Sequence, residues 1–329
     1  VELGLFNGRM NAQVVYFEKK TSGIILFVPV PSQTGYSSWN ANIADVSNKG
    51  WEIELGGDII RAKDFRWNSS FNISFIENNV DALNNGATTN FGSTGIIEGE
   101  PIGVITGYDV VSIARTQEEI DALNNQAPSG TYYSGLVQPG DYIFRDVNGD
   151  NEITPEDITP LGDINPKYYG GWNNSLSYKN FDFSFNFNFV QGNKRNWYRG
   201  ATEFSSISTT SNVTTQIYNT WTPDNTDAEY ARLESATHGN TTTTSKNVKA
   251  GDYIRLRSAS LSYNFPKEWL ANTGIDNLRL SLSGNNLFTI SDYPGIDPES
   301  VETQQGGSTV DLARDTGASY PQARTITIG

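Results

Sequence analysis

Trp172 to Gln191 reads WNNSLSYKNFDFSFNFNFVQ. Phe181, Phe183, Phe185, Phe187 and Phe189 alternate with Asp182, Ser184, Asn186 and Asn188. Side chains on a strand point to opposite faces with a period of two, so one face carries the phenylalanines and the other only polar groups. Upstream, Trp172, Leu176 and Tyr178 share one parity, with small polar residues between them. A two-residue turn at Lys179-Asn180 sets Tyr178 opposite Phe181 and brings both aromatic rows to the same side. Such a face borders either a soluble core or a lipid bilayer, and the rest of the chain has to decide.

Hydrophobic residues make up only 36% of the 329, yet aromatics reach 12%. No run of about 18 apolar residues exists, which excludes a transmembrane helix but not a membrane barrel, whose alternating strands average out to polar. The formal charge of −14 argues against a nucleic-acid partner, which calls for a basic footprint. There is no Cys, so no disulfide and no thiolate site. His238 is the one histidine and lies in a Thr-rich loop, which leaves no nucleophile–His–acid constellation and no histidine metal site; the expectation is a non-enzyme. The chain opens at Val1 within a strand-like pattern and without a signal peptide, the mark of a fragment or a processed piece.

Outward from the central hairpin the same grammar repeats. Asn7-Gly8 predicts a turn that sets Leu5 against Met10 and places Met10 on an outward row. Trp51, Ile53, Leu55 and Ile59 pair with Phe65, Trp67, Phe71, Ile73 and Phe75 across a loop at residues 62–64, with Arg66, Asn68, Ser70 and Asn72 on the opposite face. Asp252 to Phe265 changes parity midway, which predicts a bulge near Ser258. Leu278, Leu280 and Leu282 alternate next, and Tyr320 to Gly329 reads as the last strand. Short connections (near 7–8, 62–64, 179–180 and 266–277) alternate with long ones (19–49, 78–166, 192–251 and 291–319). The prolines of IILFVPVPS (Ile24 to Ser32) argue against a central strand there, and Gln117 to Asn125 reads as a short helix. Short turns on one side and long loops on the other are the pattern of an antiparallel outer-membrane barrel. The expected fold is therefore all-β and transmembrane, with Phe181, Phe183, Phe185, Phe187, Phe189, Trp67 and Phe71 facing lipid. Nine strands is an odd count, so the barrel needs strands from elsewhere to close.

GDYIFRDVNGDNEITPEDITPLGDINPKYYGG (Gly140 to Gly171) resembles the C-terminal half of the SusC/RagA family of TonB-dependent outer-membrane transporters. YFEKKTSGIILFVPVPSQTGY (Tyr16 to Tyr36), NKGWEIEL (Asn48 to Leu55), GDYIRLRSASLSYNFPKEWL (Gly251 to Leu270) and LSGNNLFTISDYPGIDPE (Leu282 to Glu299) resemble it in the same order. YPQARTITIG (Tyr320 to Gly329) looks like the family's final strand. The resemblance implies a barrel of about 22 strands, of which residues 1–329 supply the last nine or so. It implies that the plug domain, the TonB box and the early strands lie outside this stretch. It also implies the outer membrane of a Gram-negative bacterium, a SusD-like lipoprotein over the extracellular face, coupling to the TonB complex, and import of oligosaccharides, peptides or other large nutrients.

Two loop motifs invite a site reading. Asp146, Asn148, Asp150, Glu152 and Asp157 fall at positions 1, 3, 5, 7 and 12 of an EF-hand-like spacing, which predicts a structural calcium ion; the alternative is an Asx-rich turn. Asn151 stands where that motif has Gly, and Asp157 where it has Glu. NKRNWYR (Asn193 to Arg199) offers Trp197, Tyr198 and Arg199 either to a sugar or lipoprotein or, more simply, to the membrane girdle. Beside the importer stand two other readings: a secreted all-β carbohydrate-binding module, whose phenylalanine row would be buried, and a barrel kept as a docking or secretion scaffold.

Overall fold

The computed structural model describes residues 1–29, 32–36, 38–83, 89–91, 94–134, 137–197, 215–233, 242–271, 273–299, 315 and 320–329. In chain order the strands are β1 (Glu2–Leu5), β2 (Met10–Pro29), β3 (Ser38–Arg61), β4 (Phe65–Leu83), β5 (Thr89–Phe91), β6 (Thr94–Ile96), β7 (Val104–Gly107), β8 (Val110–Ile113), β9 (Tyr142–Phe144), β10 (Thr159–Gly162), β11 (Tyr168–Tyr178), β12 (Phe181–Gln191), β13 (Lys194–Asn196), β14 (Val248–Ala250), β15 (Tyr253–Asn264), β16 (Arg279–Ile290) and β17 (Thr325–Ile328). Nine of them form one sheet in the order β1-β2-β3-β4-β11-β12-β15-β16-β17, each pair antiparallel. No described helix is long and apolar enough to cross a membrane. Crossing falls to the strands.

Two hairpin registers follow the side-chain pattern, while before the 62–64 loop a slip between Asp58 and Ile60 sets Ile60 instead of Ile59 opposite Trp67. Leu5 pairs with Met10 and Tyr178 with Phe181, and β4 begins at Phe65 after the 62–64 loop. The parity change in β15 is a register slip between Leu256 and Ser258. A matching irregularity in β16, where Asn286 has a φ of 50°, had no signature in the apolar pattern.

The outward face has two boundaries. At the short-turn end one rung runs Phe65–Tyr178–Phe181–Tyr263–Leu280. At the other end a rung runs Tyr16–Trp51–Phe75–Tyr168. The next outward rung is Glu18–Lys49–Glu77, where Lys49 Nζ lies 3.2 Å from Glu77 Oε1. From Phe65 to Phe75 a strand rises about 33 Å, and a tilt of about 40° reduces that to about 25 Å, the height of the apolar band of outer-membrane barrels. The lipid zone thus ends where charge begins.

Between these rungs the aromatic rows cover one another rather than a core. Phe181 remains 47% exposed, and none of Phe183, Phe185, Phe187, Phe189, Trp67 and Phe71 belongs to the buried core. Phe71 and Phe189 stack at 5.9 Å across β11. Gly170 permits this, because a Cβ there would lie 2.1 Å from Asn72 O and 2.6 Å from the Phe189 ring. A sandwich would have buried this row under a second sheet.

Two polar residues also sit on the lipid-facing parity. Trp67 Nε1 donates to Asn174 Oδ1 and Trp172 Nε1 to Ser69 Oγ, each at 2.9 Å. Hydrocarbon offers an indole N–H no partner, so each tryptophan draws one from the adjacent strand. Asn174 is only 4% exposed beneath the rings.

Two expectations change. The segment 19–49 is not a long loop: β2 continues to Pro29, and β3 starts at Ser38. Pro29 is the last residue of its strand, so its missing N–H interrupts nothing further along. The last strand is shorter than Tyr320 to Gly329: Thr325–Ile328 form the ladder on β16, and Gly329 exchanges backbone hydrogen bonds with Ser281. Above the girdle β2, β3 and β4 therefore rise as a ribbon beyond their shorter neighbours. Its inner side carries Ala44, Val46, Val80 and Leu83, which pack with Ile96 of β6.

Replacing Asn174 by Leu strips Trp67 of its acceptor and is expected to cost about 1–3 kcal/mol on refolding into vesicles. Adding Trp67→Phe should recover most of that loss. Strictly additive losses would mean that the pair is not coupled.

Candidate transport channel wall and its loops

The inward face is polar, and its groups are bonded sideways. Arg66 donates from Nε and Nη2 to the two carboxylate oxygens of Asp58, both at 3.0 Å, and Asn68 Nδ2 adds a third bond at 3.0 Å. Further along the same end, Asp182 accepts from Ser177 Oγ at 2.9 Å and Asn264 Nδ2 at 3.0 Å. Arg279 Nη2 reaches Ser262 Oγ at 2.9 Å and lies 3.8 Å from Asp182. Asn186 bonds Asn173 one strand over. The expected lumen rows Arg66, Asn68 and Asp182, Asn186 are therefore a knitted wall.

The long connections fold into their own small units. β10, β7, β6 and β5 form a four-stranded sheet, β8 pairs with β9, and β13 pairs with β14. The Gln117–Gln126 helix is capped by Thr116, whose side chain accepts from Glu119 N. Tyr108, Tyr132, Tyr142, Phe144 and Ile153 build a loop core, with Ala231 joining from the next long connection. Burial pushes the Tyr142 phenol up to about 12, keeping it neutral.

The acidic motif lies at the edge of this core. Asp146 accepts from Gly149 N at 2.6 Å and Asn151 N at 2.7 Å, Asn148 from Asp150 N at 3.0 Å, and Asp150 from Glu152 N at 2.8 Å. Glu152 turns away to Ser129 N. Asp157 is 0% exposed and accepts from Val147 N and Thr154 N, both at 2.8 Å, closing a capping box with Thr154. Among the described residues no three His, Asp or Glu side chains are arranged to hold a metal ion. The five-ligand calcium set does not fit this arrangement: Asp157 spends its oxygens on backbone amides, and the motif is built as consecutive Asx turns. Asp157→Ala is expected to raise hydrogen exchange across residues 146–157, whereas chelation of calcium should leave it unchanged. Chelator-sensitive exchange would restore the calcium reading.

Trp197 also departs from expectation. It is 6% exposed and packs with Tyr230 and Tyr293, with Lys249 Nζ 6.0 Å from its ring centre. Either role foreseen for it, platform or girdle, needs an exposed ring, and this one is loop core. Tyr198 and Arg199 lie outside the described residues, as does His238.

What the sequence did not flag is the upper inner wall. Arg255, on the face opposite lipid-facing Ile254 and Leu256, is 2% exposed and paired to Asp297 and Glu299. An isolated arginine in an alternating strand looks like any other lumen residue. Its carboxylate partners lie more than forty positions away.

No family model matches the chain. A TonB-dependent receptor of Formosa agariphila is 34% identical over 351 aligned residues, covering all of this chain and 33% of the relative. A second receptor of the same organism is 33% identical, again over the whole chain and 33% of its own length. The TonB-dependent receptor SusC of Bacteroides thetaiotaomicron is 25% identical over 100% of this chain and 30% of its own. The chain thus spans about a third of the curated relatives it matches. Among solved structures, the RagAB peptide transporter superposes with a TM-score of 0.70 at 21% identity, over 90% of this chain and 32% of that one, a likeness of fold. Identity along the whole chain, carried on a wall of the matching fold, makes this a portion of the barrel of a SusC/RagA-family TonB-dependent receptor in the outer membrane of a Gram-negative bacterium.

Proposed function

We propose that this wall is the C-terminal barrel part, residues 1–329, of an importer that carries large nutrients across the outer membrane. The observation that carries the reading is the sheet's two-sidedness: an apolar outer band bounded by aromatic rungs and a laterally bonded polar inner face. A wall of that kind separates lipid from a wet channel. The N-terminal part would supply the plug and the remaining strands of a barrel of about 22, a size at which the lumen needs filling. A SusD-like lipoprotein would cover the loop side and TonB would act on the plug from the other. The cargo class is an oligosaccharide or a peptide. Of the two, the peptide is supported by the name of the RagAB peptide transporter, whose fold this wall resembles. No catalytic step enters this reading.

The test is mass spectrometry of the native complex extracted in mild detergent, joined to uptake by cells with and without TonB. A plug-bearing N-terminal part and a surface lipoprotein should travel with this chain, and growth on the matching nutrient should require TonB. Co-purification without TonB-dependent uptake would leave a docking or secretion scaffold instead. A chain released without detergent would overturn the membrane assignment.

A further inference from the structure

Two of the sequence stretches quoted above meet through charge. Arg255 Nη2 donates to Asp297 Oδ1 at 2.6 Å, Nη1 to Glu299 Oε2 at 2.7 Å and Nε to Thr289 Oγ1 at 2.8 Å. Every edge of the guanidinium is engaged. Glu299 also takes Arg257, whose Nη1 reaches Asn286 Oδ1 at 3.3 Å. Asp297 in turn accepts the amides of Glu299 at 2.9 Å and Gln322 at 3.3 Å, while Asn286 Nδ2 donates to Ala323 O at 3.1 Å. The cluster is neutral: two arginines against two carboxylates. It joins β15, β16, the 295–299 segment and the approach to β17. Both register irregularities lie at its centre, the β15 slip that brings Arg257 to Glu299 and the Asn286 kink that supplies an acceptor.

We propose that Arg255, Arg257, Asp297 and Glu299 clamp the 295–299 segment to the inner wall, making it a fixed ledge at the loop-side mouth of the channel. Arg255 stands on the inner face between Asn188 of β12 and Thr289 of β16. A segment bonded to it must lie over the wall and toward the lumen. The segment is also tied at its start, where Ser291 Oγ donates to Asp252 O at 2.6 Å. Opening the ledge would leave charges unpaired in a nearly dry site, and removing one partner of such a pair is strongly unfavourable. Burial by itself would raise the Asp297 pKa, but its bonds from Arg255, Glu299 N and Gln322 N hold it below the ordinary carboxylate range. The ledge keeps its anion at neutral pH. That the mouth belongs to a transport channel rests on the importer reading; the clamp itself does not.

Hydrogen exchange on the full-length protein tests it, read at the amides of Glu299 and Gln322, both of which donate to Asp297. In the wild type these amides should exchange as slowly as those of β15 and β16 between Ser258 and Ser262 or Ser281 and Asn285. Arg255→Met should accelerate both at least tenfold and leave the strand amides unchanged, with Arg255→Lys intermediate because charge remains without the fork. Should the Met variant fail to assemble, Glu299→Gln must produce a smaller rise at the same two amides. Fast exchange in the wild type, or no change in the assembled variants, overturns the proposal. None of these readouts involves transport, so a failed uptake experiment would sink the importer reading and leave this one standing.

Discussion

Hydrocarbon gives a backbone N–H or C=O nothing to bond, and every other feature of this wall answers to that constraint. Strands that cross must pair along their length, and the inner strands of the sheet do so between the Phe65–Leu280 rung and the Tyr16–Tyr168 rung. The same rule extends to side chains. Trp67 and Trp172 stand in the lipid zone because Asn174 and Ser69 take their indole protons. The outer face is therefore not a uniform apolar coat. It admits polarity where a neighbouring strand completes the bond.

On the inner face the solvent can supply partners, yet the wall supplies its own. Asp58 and Asp182 each gather donors from adjacent strands and so turn single side chains into a surface. At the opposite end the wall is thickened rather than knitted. The β2–β4 ribbon carries an apolar inner patch that seats β6, and Arg255 draws down the segment after β16. Loops anchored in this way are architecture, with cores of their own around Phe144 and Trp197.

The membrane half was legible because period-two alternation is enforced by lipid at every residue. The Phe181–Phe189 row and the slip near Ser258 follow from parity, and the Leu5–Met10 pairing from parity joined to the Asn7-Gly8 turn. Legibility failed where that enforcement ends. Beyond Glu18 and Lys49 lipid no longer covers the outer face of β2 and β3 and their inner face packs locally against β6, so the strict alternation fades and the prolines of residues 24–32 read as a loop. Trp197 was read by composition, but its burial depends on Tyr230 and Tyr293, which are remote in sequence. Asp157 sat at a ligand's spacing, yet spacing does not say that Thr154 would open a helical turn there and claim it as a cap. Asn174 stands in an outward position with the composition of any small polar residue, and the cue to its role is a tryptophan on the same face that needs an acceptor.

Parity also explains why the charge clamp needs its irregularities. In a regular strand Arg255 and Arg257 would both point inward, and Ala259, Leu261 and Tyr263 would follow them into the lumen. The slip between Leu256 and Ser258 lets one strand place Ile254 and Leu256 in lipid above it and the odd-numbered residues in lipid below it. The extra residue is Arg257, and it is free to turn to Glu299 because it has no place in the ladder. β16 keeps its parity through the irregularity at Asn286, so Phe288 and Ile290 stay on the outer face with Leu280 and Leu282, across from Leu256 and Ile254. A bulge of this kind interrupts the pairing that lipid demands, so it is tolerated only where other bonds replace the lost ones. Arg257 and Asn286 supply those bonds to each other and to the segments beyond. In β15 and β16 the wall thus gives up regularity at the height where it turns a loop inward.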